Sequence, residues 1–495
     1  MARMTLYFRA QIARRLLWLL ALGMGALACT QPMAGAPVAH SASVTATNLP
    51  ISAPVGRPQA AVLVSETQIT LPTYPFERYQ TEAFDLVYRW PYKRFDVERF
   101  RAEAPTPSPR RYEVVVLENE YLQLLVLPAL GGRLWQVIHK PTGALMFYQN
   151  PVVKPTHWGQ PKQLGWLALG GLEWGLPVIE HGYDWGVPWP YQVETTDDGA
   201  AITLTTPDDG RLIQASIRIA LQAGEASFTV TPSLHNVGQQ GLAFSFWINA
   251  ALAPGSGRKP SGQLHFVLPT DQVQLHSTGD ADLPLPARTF SWPVQGKRDF
   301  SRLGSWRQYL GFFESPAAHG PFVGVYDPAY DAGAVRTFPP EIARGSKVFA
   351  LGWRDALGSD NFTADDSAYV ELHGGLAPSF FDQAHLSAGE TLTWQERWYP
   401  VAGIGDLVYA NAAAALNVVK TGGGLRVALY PTQPLQGTLH IADQRGAVRR
   451  LPIAATPDAP YLALVDMETR TESPLTLWIT DSAGVELLRY AEAES

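Results

Sequence analysis

YEVVVLENEYLQLLVLPALGGRLWQVIHKPTG, from Tyr112 to Gly143, holds three apolar runs separated by turn chemistry. YEVVV (Tyr112 to Val116) and YLQLLVLP (Tyr121 to Pro128) flank Leu117-Glu118-Asn119-Glu120, which reads as an apolar-rich hairpin. RLWQVIH then precedes Lys140-Pro141-Thr142-Gly143, a Pro-x-Gly turn leading into ALMFY. The same texture continues on both sides. AITLTTPDDGRLIQASIRIAL places Asp208-Asp209-Gly210 between two alternating runs, and ASFTVTPSLHN and LAFSFWINAAL follow. Helical periods are scarce, apart from a turn expected near Val97 to Ala104. The pattern predicts an all-β protein, a large antiparallel sandwich from residue 65 to 402.

At 495 residues the chain is too long for one ordinary core. After Gly403 the texture changes. ANAAAALN and the glycines at 422–424 read as a connector over 403–424. Short strands over 425–495, ending in a hairpin around Asp481-Ser482-Ala483-Gly484, predict a small immunoglobulin-like β-sandwich.

The first 28 residues carry four arginines and no acid, and Arg9, Arg14 and Arg15 precede the apolar run LLWLLALGMGALA. The run is short for a membrane span, so a signal peptide over 1–28 is expected. Ala26-Leu27-Ala28-Cys29 resembles a bacterial lipoprotein cleavage box, and Cys29 is the sole cysteine. Cys29 is therefore assigned as a lipid attachment point, with export and membrane anchoring implied. Residues 29–64, rich in Ala, Pro, Ser and Thr, read as a flexible tether. Net charge is −7, which argues against nucleic acid or an anionic lipid surface as partner.

GGLEWGLPVIEHGYDWGVPWP, Gly170 to Pro190, sets acids and one histidine among rings. Sugars have polar edges and apolar C–H faces, so a saccharide site combines flat rings with a few hydrogen-bonding groups. Glu173, His181 and Asp184 lie among Trp174, Tyr183 and Trp185 here. The alternative is a loop that packs its rings into the core. In FSFWINAALAPGSG, Trp247 and Asn249 share one strand face; in SAYVELHGG, Glu371 and His373 do. These choices give Glu173, His181 and Glu371 as catalytic candidates, and Trp174, Tyr183, Asp184, Trp185, Trp247, Asn249 and His373 as saccharide-binding ones. HExxH, GxSxG, the Walker loop and zinc-type cysteine patterns are all missing. No metal or cofactor is expected, although loop acids leave room for a structural calcium ion.

ETQITLPTYP, LENEYLQLLVLPALGGRLWQVIHKPTG, YQNPVVKP, GGLEWGLPVIEHG, FWINAAL, YVELHGG and GETLTWQERWYPVAGIG occur in that order. Together they make the span from about Glu66 to Pro400 similar to the galactose mutarotase-like superfamily. Within it, the span resembles an uncharacterised bacterial family often found ahead of tetratricopeptide repeats. The resemblance implies a supersandwich with a sugar-binding face. Mutarotases use a glutamate base at O1 and a histidine acid at the ring oxygen. The order Gly170-Gly171…His181-Gly182-Tyr183 is similar to a signature of sugar-phosphate mutarotases and points to His181. In a second mutarotase motif, Ser245 stands where the family has histidine, a departure from orthodox mutarotation. Three readings follow: a carbohydrate-active enzyme, hydrolase-like or epimerase-like; a non-catalytic glycan-binding lipoprotein; and a structural envelope protein.

Overall fold

The computed structural model describes residues 62–158, 162–315, 320–354, 362–443, 446–466 and 474–492. The signal peptide, Cys29 and nearly all of the tether lie outside these residues. The first strand, Leu63–Thr73, already pairs with Ser108–Glu118 along its whole length. No helix among the described residues is long and apolar enough to cross a membrane.

The opening sequence folds as read. Strand Ser108–Glu118 turns antiparallel into Leu122–Leu127, with Val115 opposite Val126 and Glu118 opposite Gln123. Asn119 shapes the turn: its Oδ1 accepts from the Tyr121 and Leu122 amides at 2.9 and 2.7 Å. The runs are apolar throughout because both faces of the sheet are covered. Val115, Leu117, Leu124 and Val126 enter one core, while Val114, Val116, Leu125 and Leu127 enter another on the opposite face. The expected helical turn is an α-helix, Val97–Glu103, capped by the Asp96 carboxylate on the Arg99 amide at 3.0 Å.

These strands belong to a twelve-stranded sheet that packs on a nine-stranded one. The predicted large antiparallel supersandwich is thereby found. Six strands in the middle of the larger sheet matter below: β1 (Arg133–His139), β2 (Gly171–Gly175), β3 (Trp247–Gly255), β4 (Leu310–Glu314), β5 (Gly345–Ala350) and β6 (Val370–Gly375), in spatial order β1-β2-β3-β6-β5-β4. Leu134, Leu172, Ile248, Ala250, Leu372 and Val348 face the second sheet and join the main core. Alternation therefore sends Arg133, Glu173, Asn249, Glu371, His373 and Lys347 to the other face.

Charges are also buried between the sheets. Arg336 forms two bonds of 2.7 Å to Glu396, whose oxygens also accept from the Trp394 and Trp398 indoles. The guanidinium occupies the space a side chain at Gly374 would need, with a Cβ there only 2.3 Å from the Arg336 Cζ. Close by, neither oxygen of the buried Glu314 carboxyl meets a hydrogen-bond partner. Burial pushes Glu314 up to about 8, against weaker opposition from Ser346 and Arg336. In the unfolded chain it ionises near pH 4.5. Between these values the unfolded chain releases a proton that the folded one keeps. Stability should therefore fall as pH rises from about 4.5 to about 8, by up to about 1.4 kcal/mol per unit. Glu314→Gln should flatten that slope in denaturant titrations at pH 5 and 8.

Residues 403–424, read as a connector, contain the strands Tyr409–Ala410 and Ala414–Thr421. The glycines at 422–424 lie at the tight turn where Thr421 pairs with Gly424. The small sandwich thus begins before residue 425. One sheet joins Ala414–Thr421, Gly424–Pro431 and Tyr461–Asp466, with the two-residue strand Tyr409–Ala410 added at its edge; the other joins Val448–Ala455, Leu435–Ala442, Thr476–Asp481 and Glu486–Ala491. Lettered A, B, C, C′, E, F and G along the chain, the sheets are ABE and C′CFG, an immunoglobulin-like arrangement. It has its own core, around Leu416, Val427, Leu439, Ile441 and Leu477. Tyr430 also hydrogen-bonds His139 of the large sandwich at 3.1 Å.

Candidate functional site

The outward face of β1, β2, β3, β6 and β5 carries a continuous polar row. β-Pairing sets Glu173 opposite Asn249, Asn249 opposite His373, and His373 opposite Lys347. Glu371 lies two residues along β6, opposite Ala251. Glu173 and Glu371 therefore share one face, separated by one strand and about 7 Å along it.

Glu173 is enclosed by donors. Its Oε2 accepts from Arg133 Nη2 at 2.6 Å and from the Trp166 indole at 2.9 Å. Its Oε1 meets His181 Nδ1 at 2.6 Å and accepts from Asn249 Nδ2 at 3.1 Å. Burial alone would raise its pKa, but the Arg133 and His181 charges and the donated bonds outweigh that and hold the carboxyl at about 2. Such a carboxylate is a weak base and a poor nucleophile, but a firm anchor for an imidazole.

His181 is brought there by a loop that doubles back from the end of β2. The Tyr183 amide returns to the Leu176 carbonyl at 2.9 Å. Gly182, at φ +63°, makes this possible, since a Cβ would lie 2.2 Å from the Leu176 nitrogen. The His181 ring stacks on Trp166, with centroids 3.8 Å apart and planes 15° apart. With Nδ1 on Glu173, the imidazole keeps Nε2 for other work. His181, Glu180 and His276 are only half-buried and form the most accessible rim of the row.

At the other end, His373 Nε2 lies 2.8 Å from Glu371 Oε2 and 3.2 Å from Lys347 Nζ. Burial, aided by the Lys347 charge, lowers His373 to about 4 against the pull of Glu371. Burial also lowers Lys347, opposed by Glu371 and Glu180. For Glu371 burial acts upward, but the bond from His373 and the neighbouring positive charges leave its pKa lowered. Sequence reading missed Arg133 and Lys347. The strand of Arg133 was legible and that of Lys347 was not, and the register that sets them beside Glu173 and His373 is a tertiary fact.

Of the ten residues singled out beforehand, the fold gathers Glu173, His181, Asn249, Glu371 and His373, with Trp247 beside them. Trp247 lies across Gly375 and Gly345, where a Cβ would come within 2.5 and 2.6 Å of the indole, and it meets Phe380 edge-on. The other four sit elsewhere. Trp174 packs in the core between the sheets and donates to the Gly132 carbonyl. Tyr183 stacks on Tyr92 and donates to Asp85. Asp184 pairs with Arg211 at 2.6 Å and accepts from Trp90. Trp185 packs against Phe76. All four are buried, and so is Trp247, which packs with Phe313 and Phe380 and offers no open stacking face. Two cavities lie away from the row. One of about 630 Å³ in the small sandwich is lined by Gln433, Leu435, Asp481 and neighbours; one of about 280 Å³ lies near Tyr330 and Gly403. Among the described residues, no cluster of three or more His, Cys, Asp or Glu is arranged to hold a metal ion.

A solved TPR-domain-containing protein from Parabacteroides distasonis is 22% identical, with a TM-score of 0.56, over 69% of this chain and 55% of that one. The chain thus spans little more than half of that protein's length. A galactose mutarotase-like protein from Clostridium acetobutylicum is 12% identical, with a TM-score of 0.41, over 59% of this chain and 96% of that one. For a putative aldose 1-epimerase from Escherichia coli K12 the figures are 14%, 0.39, 59% and 99%. Residues 409–490 match the second domain of YphG-like proteins. Residues 85–401 match a family model that spans more than half of the chain, and the protein belongs to that family, described as a domain of unknown function (DUF5107).

Proposed function

We propose that the protein is a carbohydrate-active envelope lipoprotein, anchored through Cys29, that binds a saccharide against the polar row of the large sandwich. On this reading it interconverts the anomers of that sugar. The observation that carries it is the Glu173–His181 pair, an imidazole fixed by a saturated carboxylate with its far nitrogen toward the accessible rim. Glu371 supplies the complementary group: Oε2 is held by His373, and no hydrogen bond occupies Oε1 among the described residues. Glu371 would take the proton of the anomeric hydroxyl while His181 Nε2 gives one to the ring oxygen. The C1–O5 bond opens to an aldehyde, and reversal after rotation closes the other anomer, with both protons returned. Glycoside hydrolysis by the Glu173/Glu371 pair is disfavoured, because Glu173 has no lone pair to spare.

A second reading is saccharide binding without turnover. Burial of Glu173, Asn249, Glu371 and His373, each no more than 5% exposed, favours a third, a structural envelope protein. A glycan array followed by NMR of anomer exchange on each bound sugar separates the first two. Exchange above the buffer rate supports turnover; binding without exchange supports the second reading; failure to bind any saccharide overturns both.

A further inference from the structure

Two acceptor atoms on the polar row have no partner. Asn249 uses Nδ2 on Glu173, and its Oδ1 is buried without a hydrogen bond. His373 uses Nε2, and its Nδ1 is likewise buried and unpartnered. The two residues face each other across the β3–β6 pair, which sets their Cβ atoms about 5 Å apart. The tautomer of His373 follows from its contacts. Nε2 meets Glu371 Oε2, which only accepts, at 2.8 Å and Lys347 Nζ at the longer 3.2 Å, so the ring proton is assigned to Nε2 toward the shorter contact and the neutral imidazole presents a lone pair at Nδ1. Leaving two such acceptors dry is costly, so a donor must satisfy them.

The charges around them narrow what that donor is. The buried cations of the row are committed, Arg133 to Glu173 at 2.6 Å and Lys347 to Glu371 at 3.9 Å. Glu180 adds a negative charge at the rim, 3.9 Å from His276. Two donors of the row, Arg133 Nε and Trp247 Nε1, are also buried without a partner, but the Arg133 charge is already paired with Glu173, so an anionic ligand would meet no uncommitted lysine or arginine among these residues.

We infer that Asn249 and His373 form a two-acceptor recognition point that takes neighbouring hydroxyls of a neutral saccharide and rejects phosphorylated sugars and uronates. This rests on the saccharide reading above and adds which atoms read the sugar. Asn249 and His373 are each 1% exposed, so hydroxyl entry requires the rim of His181 and Glu180 to open and His181 to return to Glu173 before proton transfer.

The test is a calorimetric panel on the full protein. The probes are neutral hexoses and their disaccharides, the matching 6-phosphates and uronic acids, and singly fluorinated analogues of the tightest neutral binder. Fluorine cannot donate a hydrogen bond. Affinity should drop about ten-fold when fluorine replaces one or two adjacent hydroxyls. His373→Gln keeps an amide donor for Glu371 but removes the Nδ1 acceptor, and it should erase the penalty at one of those positions. If that variant does not fold, the fluorine scan on the unaltered protein still decides. Full affinity for every fluorinated analogue would overturn the inference and assign the acceptors to a buried water. Tighter binding of a phosphorylated sugar or uronate would overturn it while leaving a saccharide site standing. No binding of any sugar would remove the saccharide reading along with it.

Discussion

His181→Gln should lower anomer interconversion by about 10²–10⁴-fold, the usual contribution of one positioned proton-transfer group. Glutamine can still donate an amide hydrogen to Glu173, so the buried carboxylate keeps its fourth donor and the fold should survive. What is lost is the second ring nitrogen, the only atom of the side chain able to carry a proton toward the rim. Saccharide affinity should change little, because binding rests on Asn249 and His373. NMR exchange spectroscopy measures the rate and calorimetry the affinity. A variant that retains the parent rate would assign the proton transfer to another group. A variant that loses affinity and rate together would make His181 a binding residue.

The largest stability effect is expected at Arg336. Arg336→Leu would leave Glu396 buried between the sheets with only two indole donors, at 3.2 and 3.3 Å, in place of a two-pronged guanidinium at 2.7 Å. Stranding one member of such a pair costs about 3–5 kcal/mol. The loss should be larger than the pair's own worth, so Arg336→Leu combined with Glu396→Leu should recover part of it. Urea denaturation of the single and double variants measures both quantities. Equal stability of the single variant and the parent would mean that Glu396 takes up a proton at little cost.

The large sandwich was legible because its local signals agree. The turn at Asn119, the Lys140–Gly143 turn and the Asp208–Gly210 turn each separate runs of strand-forming residues. The small sandwich was legible for the same reason, but its start was not. Alanine-rich ANAAAALN has no strand propensity, and only pairing of Ala414–Thr421 with Gly424–Pro431 draws it into the sheet. At the site, alternation along single strands correctly put Asn249 with Trp247 and His373 with Glu371. Proximity in sequence misled within Gly170–Pro190. Glu173 and His181 meet because the chain reverses at Gly182, whereas Trp174 alternates to the opposite face of β2. Ring type alone could not tell a stacking platform from core filler. Gly374 and Gly375 are required by packing, beneath Arg336 and Trp247.

A crystal structure with the tightest-binding neutral sugar shows where the saccharide sits. The sugar ring should lie against the outward face of β2, β3 and β6, with an oxygen within about 3.2 Å of His181 Nε2. A sugar found instead in the small sandwich, in the cavity lined by Gln433, Leu435 and Asp481, with the polar row unchanged, would contradict that placement.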